Sequence, residues 1–208
     1  MNRIITLGRE FGSGGRQLGR LLAERLELAY YDKEILTEIC KKTDLAQSYV
    51  QQVIDKPSLY LPPIAHGHSI QYTDDYTLKQ RRSIYQAQHE AIREIAARSD
   101  CLIVGRCADY ILAEQHPVRL FVYADLEARI ERWRAHGRED EDLSDKALSQ
   151  RIRRLDKDRA SYYSFYTGNK WGDKSNYDIC INTTNVIVGE IAAPVAAMLE
   201  TWFKNHVQ

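Results

Sequence analysis

The chain opens on an apolar run, Ile4-Ile5-Thr6-Leu7, that stops at Gly8 and is followed by Gly12, Gly14 and Gly15. Directly after these glycines, Leu18, Leu21, Leu22 and Leu26 recur at the three-to-four spacing of one helical face. The pattern predicts a strand, a glycine-rich turn and a helix. Residues 28–31 fit a second short strand. Residues 33–42 and 45–54 read as two helices, with Asp44 placed to cap the second. The periodicity then breaks over residues 57–75, which hold Pro57, Pro62, Pro63 and Gly67, and it returns as a long helix over 76–98. Cys101-Leu102-Ile103-Val104 is a continuous apolar run ending in Gly105-Arg106, the mark of a buried parallel strand. Further strands are expected at 118–124 and 177–182, and further helices at 126–136, from Lys146 onward, and at 186–203. Five strands alternating with helices predict an α/β domain, a parallel five-stranded sheet with helices on both faces.

Composition narrows the function. The 208 residues suit one domain with a core large enough to need neither disulfides nor metal. The 29 basic and 29 acidic residues cancel, which argues against a nucleic-acid binder driven by bulk charge. No charged segment followed by an apolar stretch opens the chain, and no apolar run approaches the ~20 residues of a membrane span, so a cytoplasmic protein with no membrane partner is expected. The four cysteines form no C-x-x-C pair; Cys101 and Cys180 fall in apolar strand runs and are expected to pack as small hydrophobes. His66 and His68 lie close together, but with no third ligand nearby they make a weak metal site.

Three segments carry candidate chemistry. Four glycines among residues 8–15, at a strand–helix junction, aim backbone N–H groups and the positive helix end at one spot, as a bound phosphate requires. Compared with the P-loop pattern G-x-x-x-x-G-K-[ST], Arg16 stands in the lysine's place and Gln17 in that of the magnesium-binding hydroxyl. Gly12, Ser13, Gly14, Gly15, Arg16 and Gln17 are therefore the expected donor-phosphate residues. Arg106 follows a strand at the sheet edge where ligands of open α/β folds bind, and its planar fork suits a phosphate or carboxylate. The basic helix carries Arg151, Arg153, Arg154, Lys157 and Arg159; leaning over a triphosphate, such a helix would neutralise charge and exclude water. The aromatics after it, Tyr162, Tyr163, Phe165 and Tyr166, are expected to pack that helix in place.

These segments resemble the cytidylate kinase-like family of P-loop nucleoside monophosphate kinases. The resemblance runs through residues 9–16, Tyr30-Tyr-Asp-Lys33, residues 101–112, Asp156-Lys-Asp-Arg159 and the closing run Tyr177-Asp-Ile-Cys-Ile-Asn182, and so covers nearly the whole chain in order. It implies a single three-layer P-loop kinase domain with an acceptor-binding insertion over about 33–98 and a helical lid over about 137–168, the latter mobile until nucleotide binds. It implies ATP as phosphoryl donor, with Mg2+, and CMP or dCMP as acceptor. Asp32, Lys33, Arg106 and Asp156 would bind the acceptor; Arg16, Arg153, Arg154 and Arg159 would serve catalysis; Ser13 or Asp32, through water, would touch the metal. The chain departs from the cytidylate kinases at Arg16, where they have lysine, and at Val104 and Cys107, where they have acidic residues, the second of which helps to read cytosine. Two other readings stay open beside a CMP kinase: a kinase for a different small acceptor, and a nucleotide-sensing module without turnover.

Overall fold

The computed structural model describes residues 2–55, 75–136 and 143–206. Its centre is β1 (Ile4–Arg9), flanked in parallel by β3 (Cys101–Val104) and β4 (Val118–Tyr123), with β2 (Ala29–Tyr31) and β5 (Ile179–Asn182) outside them. The order β2-β3-β1-β4-β5 gives the five-stranded parallel sheet that the sequence implies. Each inner strand has apolar residues on both faces, because helices cover both. Ile5, Leu7, Leu102, Val104 and Leu120 pack under α1 (Gly15–Arg25) and α8 (Val188–His206). Ile4, Cys101 and Ile103 face the opposite layer, built from α2 (Glu34–Thr43), α3 (Gln47–Asp55), α4 (Asp75–Arg98), α5 (Ala108–Ile111) and α7 (Asp145–Thr167). The remaining helix, α6 (Leu126–His136), follows β4. The result is the three-layer P-loop kinase fold, and its crossovers bring the C-terminal ends of β1, β2 and β3 side by side.

Two local expectations are corrected. Asp44 does not open the second helix of its pair. It closes α2 in the left-handed conformation (φ 54°), its N–H donating to the Cys40 carbonyl. Short Asp and Asn side chains tolerate that conformation, so the residue type fits an end as well as a start. Cys180 is exposed, whereas Cys101 is buried as expected. β5 is an edge strand whose residues alternate between partly buried and exposed, and Cys180 falls on the open side. The proline-rich segment with His66 and His68 lies outside the described residues, as do residues 137–142 at the start of the expected lid. Among the described residues no helix is long and apolar enough to cross a membrane.

Candidate active site

The strand ends and the inner face of α7 enclose a cavity of about 410 Å³. Five cationic side chains line it, Arg9, Arg16, Lys33, Arg106 and Arg159, against three carboxylates, Asp32, Asp109 and Asp158, so the space suits an anion. Asp32, buried just past β2, organises the cations. Its Oδ2 lies 2.6 Å from Arg16 Nε and its Oδ1 3.6 Å from Arg9 Nη2. Arg9 ends β1 with its side chain only 17% exposed. Burial, then the nearby guanidiniums of Arg159, Arg16 and Arg106, push its pKa down to about 9, against the pull of Asp32. It remains ionised at neutral pH, crowded by like charge.

Arg106 is presented by an unusual turn. Gly105, Arg106 and Cys107 all have positive φ (71°, 61° and 55°) before α5 begins. For the two non-glycine residues such a backbone costs on the order of 1–2 kcal/mol each, and it persists only where neighbours enforce it. Here Gln88 Nε2 donates to the Arg106 carbonyl (2.9 Å), and Tyr162 Oη donates to Gln88 Oε1 (3.0 Å). Strain held in place at a strand end is a mark of a functional turn. The Cys107 thiol is buried, which raises its pKa and leaves it a packing group rather than a nucleophile.

Beyond Arg106 the cavity ends in Trp171, Tyr177, Tyr163 and Asp109. Tyr163 Oη donates to Asp109 Oδ2 at 2.6 Å. Burial raises the Asp109 pKa above the usual carboxylate range, partly offset by that hydrogen bond. A carboxylate framed by aromatic rings can accept a hydrogen bond from an acceptor's hydroxyl or amine.

The glycine loop is clamped from behind. Gly14, at the N-terminus of α1, has φ 76° and its Cα faces Val188 so closely that a Cβ would stand 2.7 Å from Val188 Cγ2. Arg129 Nη1 bridges Glu10 Oε2 and Asp156 Oδ2, both at 2.8 Å. Asp156 Oδ1 also accepts from the Phe11 N–H (2.7 Å). Arg132 donates to the carbonyls of Gly12 and Thr183, both at 2.9 Å. Thr183 Oγ1 donates to the Ser13 carbonyl (2.7 Å).

The structure gathers some of the expected site residues and separates others. Arg16, Asp32, Lys33, Arg106 and Arg159 share the cavity wall. Gly12, Ser13, Gly14, Gly15 and Gln17 form the loop and first helical turn next to Arg16 but are not part of that wall. Ser13 is fully buried, its hydroxyl donating to the Glu10 carbonyl (2.9 Å), so it does not fit a metal contact; Asp32 lines the cavity with both carboxylate oxygens turned to arginines. Asp156 spends both carboxylate oxygens on the loop clamp and is absent from the wall. Arg153 and Arg154 are exposed, outside the cavity. The far half of α7 is anchored by the buried Tyr162 and Tyr163 and its first half by the buried Leu148 and Ile152, with the exposed Arg134–Asp145 pair (2.6 Å) and Arg151 over the Trp133 ring linking it to α6.

Arg9, Asp109, Arg129 and Arg132 are contributors that the sequence motifs do not single out. Arg9 and Asp109 lie within the matched segments, and a charged residue at a predicted strand or helix end was their available signal. Arg129 and Arg132 sit three apart on α6, which places them on one face, but nothing local says that the face looks at the loop.

Fold and site together define a P-loop kinase architecture. Within that class, the chain belongs to the cytidylate kinase-like family, whose sequence profile matches residues 4–185. No functionally curated protein matches the sequence. Among solved structures, an uncharacterized protein from Eubacterium ventriosum is 27% identical with a TM-score of 0.68, covering 96% of this chain and 99% of that one. The shikimate kinase of Bacteroides thetaiotaomicron is 14% identical with a TM-score of 0.55, covering 95% and 98%. That of Acinetobacter baumannii, solved with shikimate, is 16% identical with a TM-score of 0.52, covering 100% and 97%. At those identities the shikimate kinases share the fold. Family and fold support nucleotide-dependent phosphoryl transfer.

Proposed function

We propose that the protein is an ATP-dependent kinase whose acceptor is a nucleoside monophosphate, CMP or dCMP first. The observation that carries this reading is the cationic wall: four guanidiniums, from β1, α1, the Gly105 turn and α7, meet at one strand-end cavity beside a glycine-rich loop. Phosphoryl transfer needs positioning and charge neutralisation more than covalent help, and this wall offers both. The donor phosphates lie along the first turn of α1, with Arg16 reaching over them. Arg106 takes the acceptor's phosphate, with Asp32 and Lys33 beside it. An acceptor phosphate oxygen, already deprotonated, bonds to the γ-phosphorus as the bond to the β–γ bridging oxygen breaks, and two nucleoside diphosphates leave. Mg2+ entering with ATP would supply further charge neutralisation, with Asp32 the carboxylate placed to hold it through water.

Arg153 and Arg154 join the reaction only if the first half of α7 swings inward as a lid. The partners in this reading are nucleotides alone, neither nucleic acid nor membrane, drawn from the ATP of the cytoplasm. A second reading, a kinase for another small acceptor, is favoured by one feature: the buried thiol of Cys107 stands where a cytosine-reading carboxylate would be, leaving Asp109 as the carboxylate of that end. A coupled ADP-release assay over a panel of CMP, dCMP, UMP, AMP and shikimate tests both. Turnover fastest with CMP or dCMP supports the first reading, and turnover with shikimate alone the second. No acceptor-dependent turnover removes both in favour of a nucleotide sensor.

A further inference from the structure

The P-loop pattern places a lysine where the glycine loop enters its helix, and that cation reaches the phosphoryl group being transferred. Here Arg16, which stands in the lysine's place, is tied to Asp32 (2.6 Å), and the first helical residue, Gly15, has no side chain. A Cβ on Gly15 would stand 2.6 Å from Arg9 Cβ and 3.1 Å from Val122 Cβ. The space in front of the helix start is therefore taken by Arg9. At the other end of the same side chain, a Cβ on Gly105 would collide with Arg9 Nη1. Two glycines from separate elements clear a path for one guanidinium, which emerges between the loop and the Arg106 turn.

Resting on the kinase reading above, we propose that Arg9 is the catalytic cation of the transferring phosphoryl group, supplied from the end of β1 in place of a helix-borne lysine. The simpler alternative is a structural pair with Asp32. Geometry speaks against it: Arg16 holds Asp32 at 2.6 Å, while Arg9 stands at 3.6 Å. A buried guanidinium among Arg16, Arg106 and Arg159, sharing its nearest carboxylate with the more closely held Arg16, works against folding and is repaid when a polyanion enters. Its backbone is fixed as well, since Arg159 Nη1 donates to the Arg9 carbonyl at 3.3 Å, linking the cation to α7. Arg16 then holds the donor from the helix side, and Arg9 lies between donor and acceptor.

The test uses the full chain and its Arg9→Met and Arg9→Lys variants, read by melting temperature with and without inorganic tripolyphosphate and by steady-state kinetics with the best acceptor. Arg9→Met is expected to melt above wild type without ligand, because a crowded charge is gone, and to lose most of the tripolyphosphate-induced rise. Its kcat should fall at least 100-fold while KM for the acceptor changes little. Arg9→Lys, which keeps the charge without the fork, should retain part of the rise and an intermediate kcat. An Arg9→Met protein that melts lower and keeps the wild-type tripolyphosphate shift would overturn the proposal, as would unchanged kcat in either variant. Should Arg9→Met not fold, the kcat of Arg9→Lys decides. If wild type itself takes no stabilisation from tripolyphosphate or ATP, the kinase reading fails and this assignment goes with it, whereas a wild-type shift retained in the variants sinks the Arg9 assignment alone.

Discussion

The two sides of the glycine loop use the same side chain for opposite ends. Behind the loop, Arg129 is almost fully buried and is matched to two carboxylates, and Arg132 is matched to two carbonyls. In front of it, Arg9, Arg16, Arg106 and Arg159 crowd the cavity; Arg9 and Arg16 touch the same carboxylate, Asp32, and Arg159 shares Asp156 with Arg129. Matched arginines fix a shape. Crowded arginines keep a charge available for something that has yet to arrive. On the kinase reading, the difference lets a loop without the usual lysine and hydroxyl serve a phosphate: the rear network holds the backbone, and the cations come from elsewhere.

Breaking the rear should cost the most. Arg129→Met removes the buried guanidinium that bridges Glu10 and Asp156, leaving Asp156 to Arg159 (3.3 Å) and Glu10 to the Ala124 N–H, and we expect a loss of about 3–5 kcal/mol in unfolding free energy by denaturant titration. A loss below about 1 kcal/mol, the scale of an exposed pair, would show that the network is not structural. Changes in front should spare stability and strike function. Arg106→Ala should lower kcat/KM for the monophosphate by roughly 100-fold, on the ~3 kcal/mol scale of a charged hydrogen-bonded pair, with ATP affinity near normal. Arg16→Ala should do the converse, weakening ATP binding by calorimetry with little change in melting temperature. A donor-side defect from Arg106→Ala would exchange the two assignments.

How far the sequence exposed this division depends on the residue. The alternation of apolar runs and helical faces was enough for the five-stranded parallel sheet, because burial on both faces leaves a continuous apolar signature in Cys101–Val104 and residues 4–7. Arg16 and Arg106 were legible because each sits at the end of an element, Arg159 because it belongs to a basic helix, and Asp32 through the family resemblance. Arg9 was not, since its role depends on the emptiness of Gly15 and Gly105, one of them almost a hundred residues away. Asp156 reads as a ligand in its motif but serves the loop, because only the tertiary fold brings it to Arg129 and the Phe11 N–H. The exposed side of Cys180 could not be read either, since an edge strand and a central strand share the same local pattern.

Smaller effects sharpen the contrast further. Asp109 carries a raised pKa, so between the ordinary aspartate range and that raised value the native protein keeps a proton that the unfolded chain has lost. Stability must then fall as pH rises through that window, and Asp109→Asn should flatten the slope measured in denaturant just above the ordinary aspartate range. A slope unchanged in the variant would move its origin to other groups. The smallest change is expected from replacing Arg153 and Arg154 together by alanine: within about 0.5 kcal/mol in the free protein, as for exposed positions generally. If the first half of α7 closes as a lid, its hydrogen exchange should slow on adding a two-substrate analogue, and the double variant should lose that slowing; equal protection with and without the analogue would make the helix a fixed wall.

If the proposed function holds, the crowded front of the loop serves phosphoryl transfer between nucleotides. Phosphorus NMR of ATP, Mg2+ and CMP with the purified protein reads that chemistry directly. The γ-phosphate resonance of ATP is expected to decline while those of ADP and CDP grow in equal amounts, and both are expected to stay absent with Arg106→Ala over the same time. An unchanged ATP spectrum, or ATP lost to inorganic phosphate without any CDP, would contradict it.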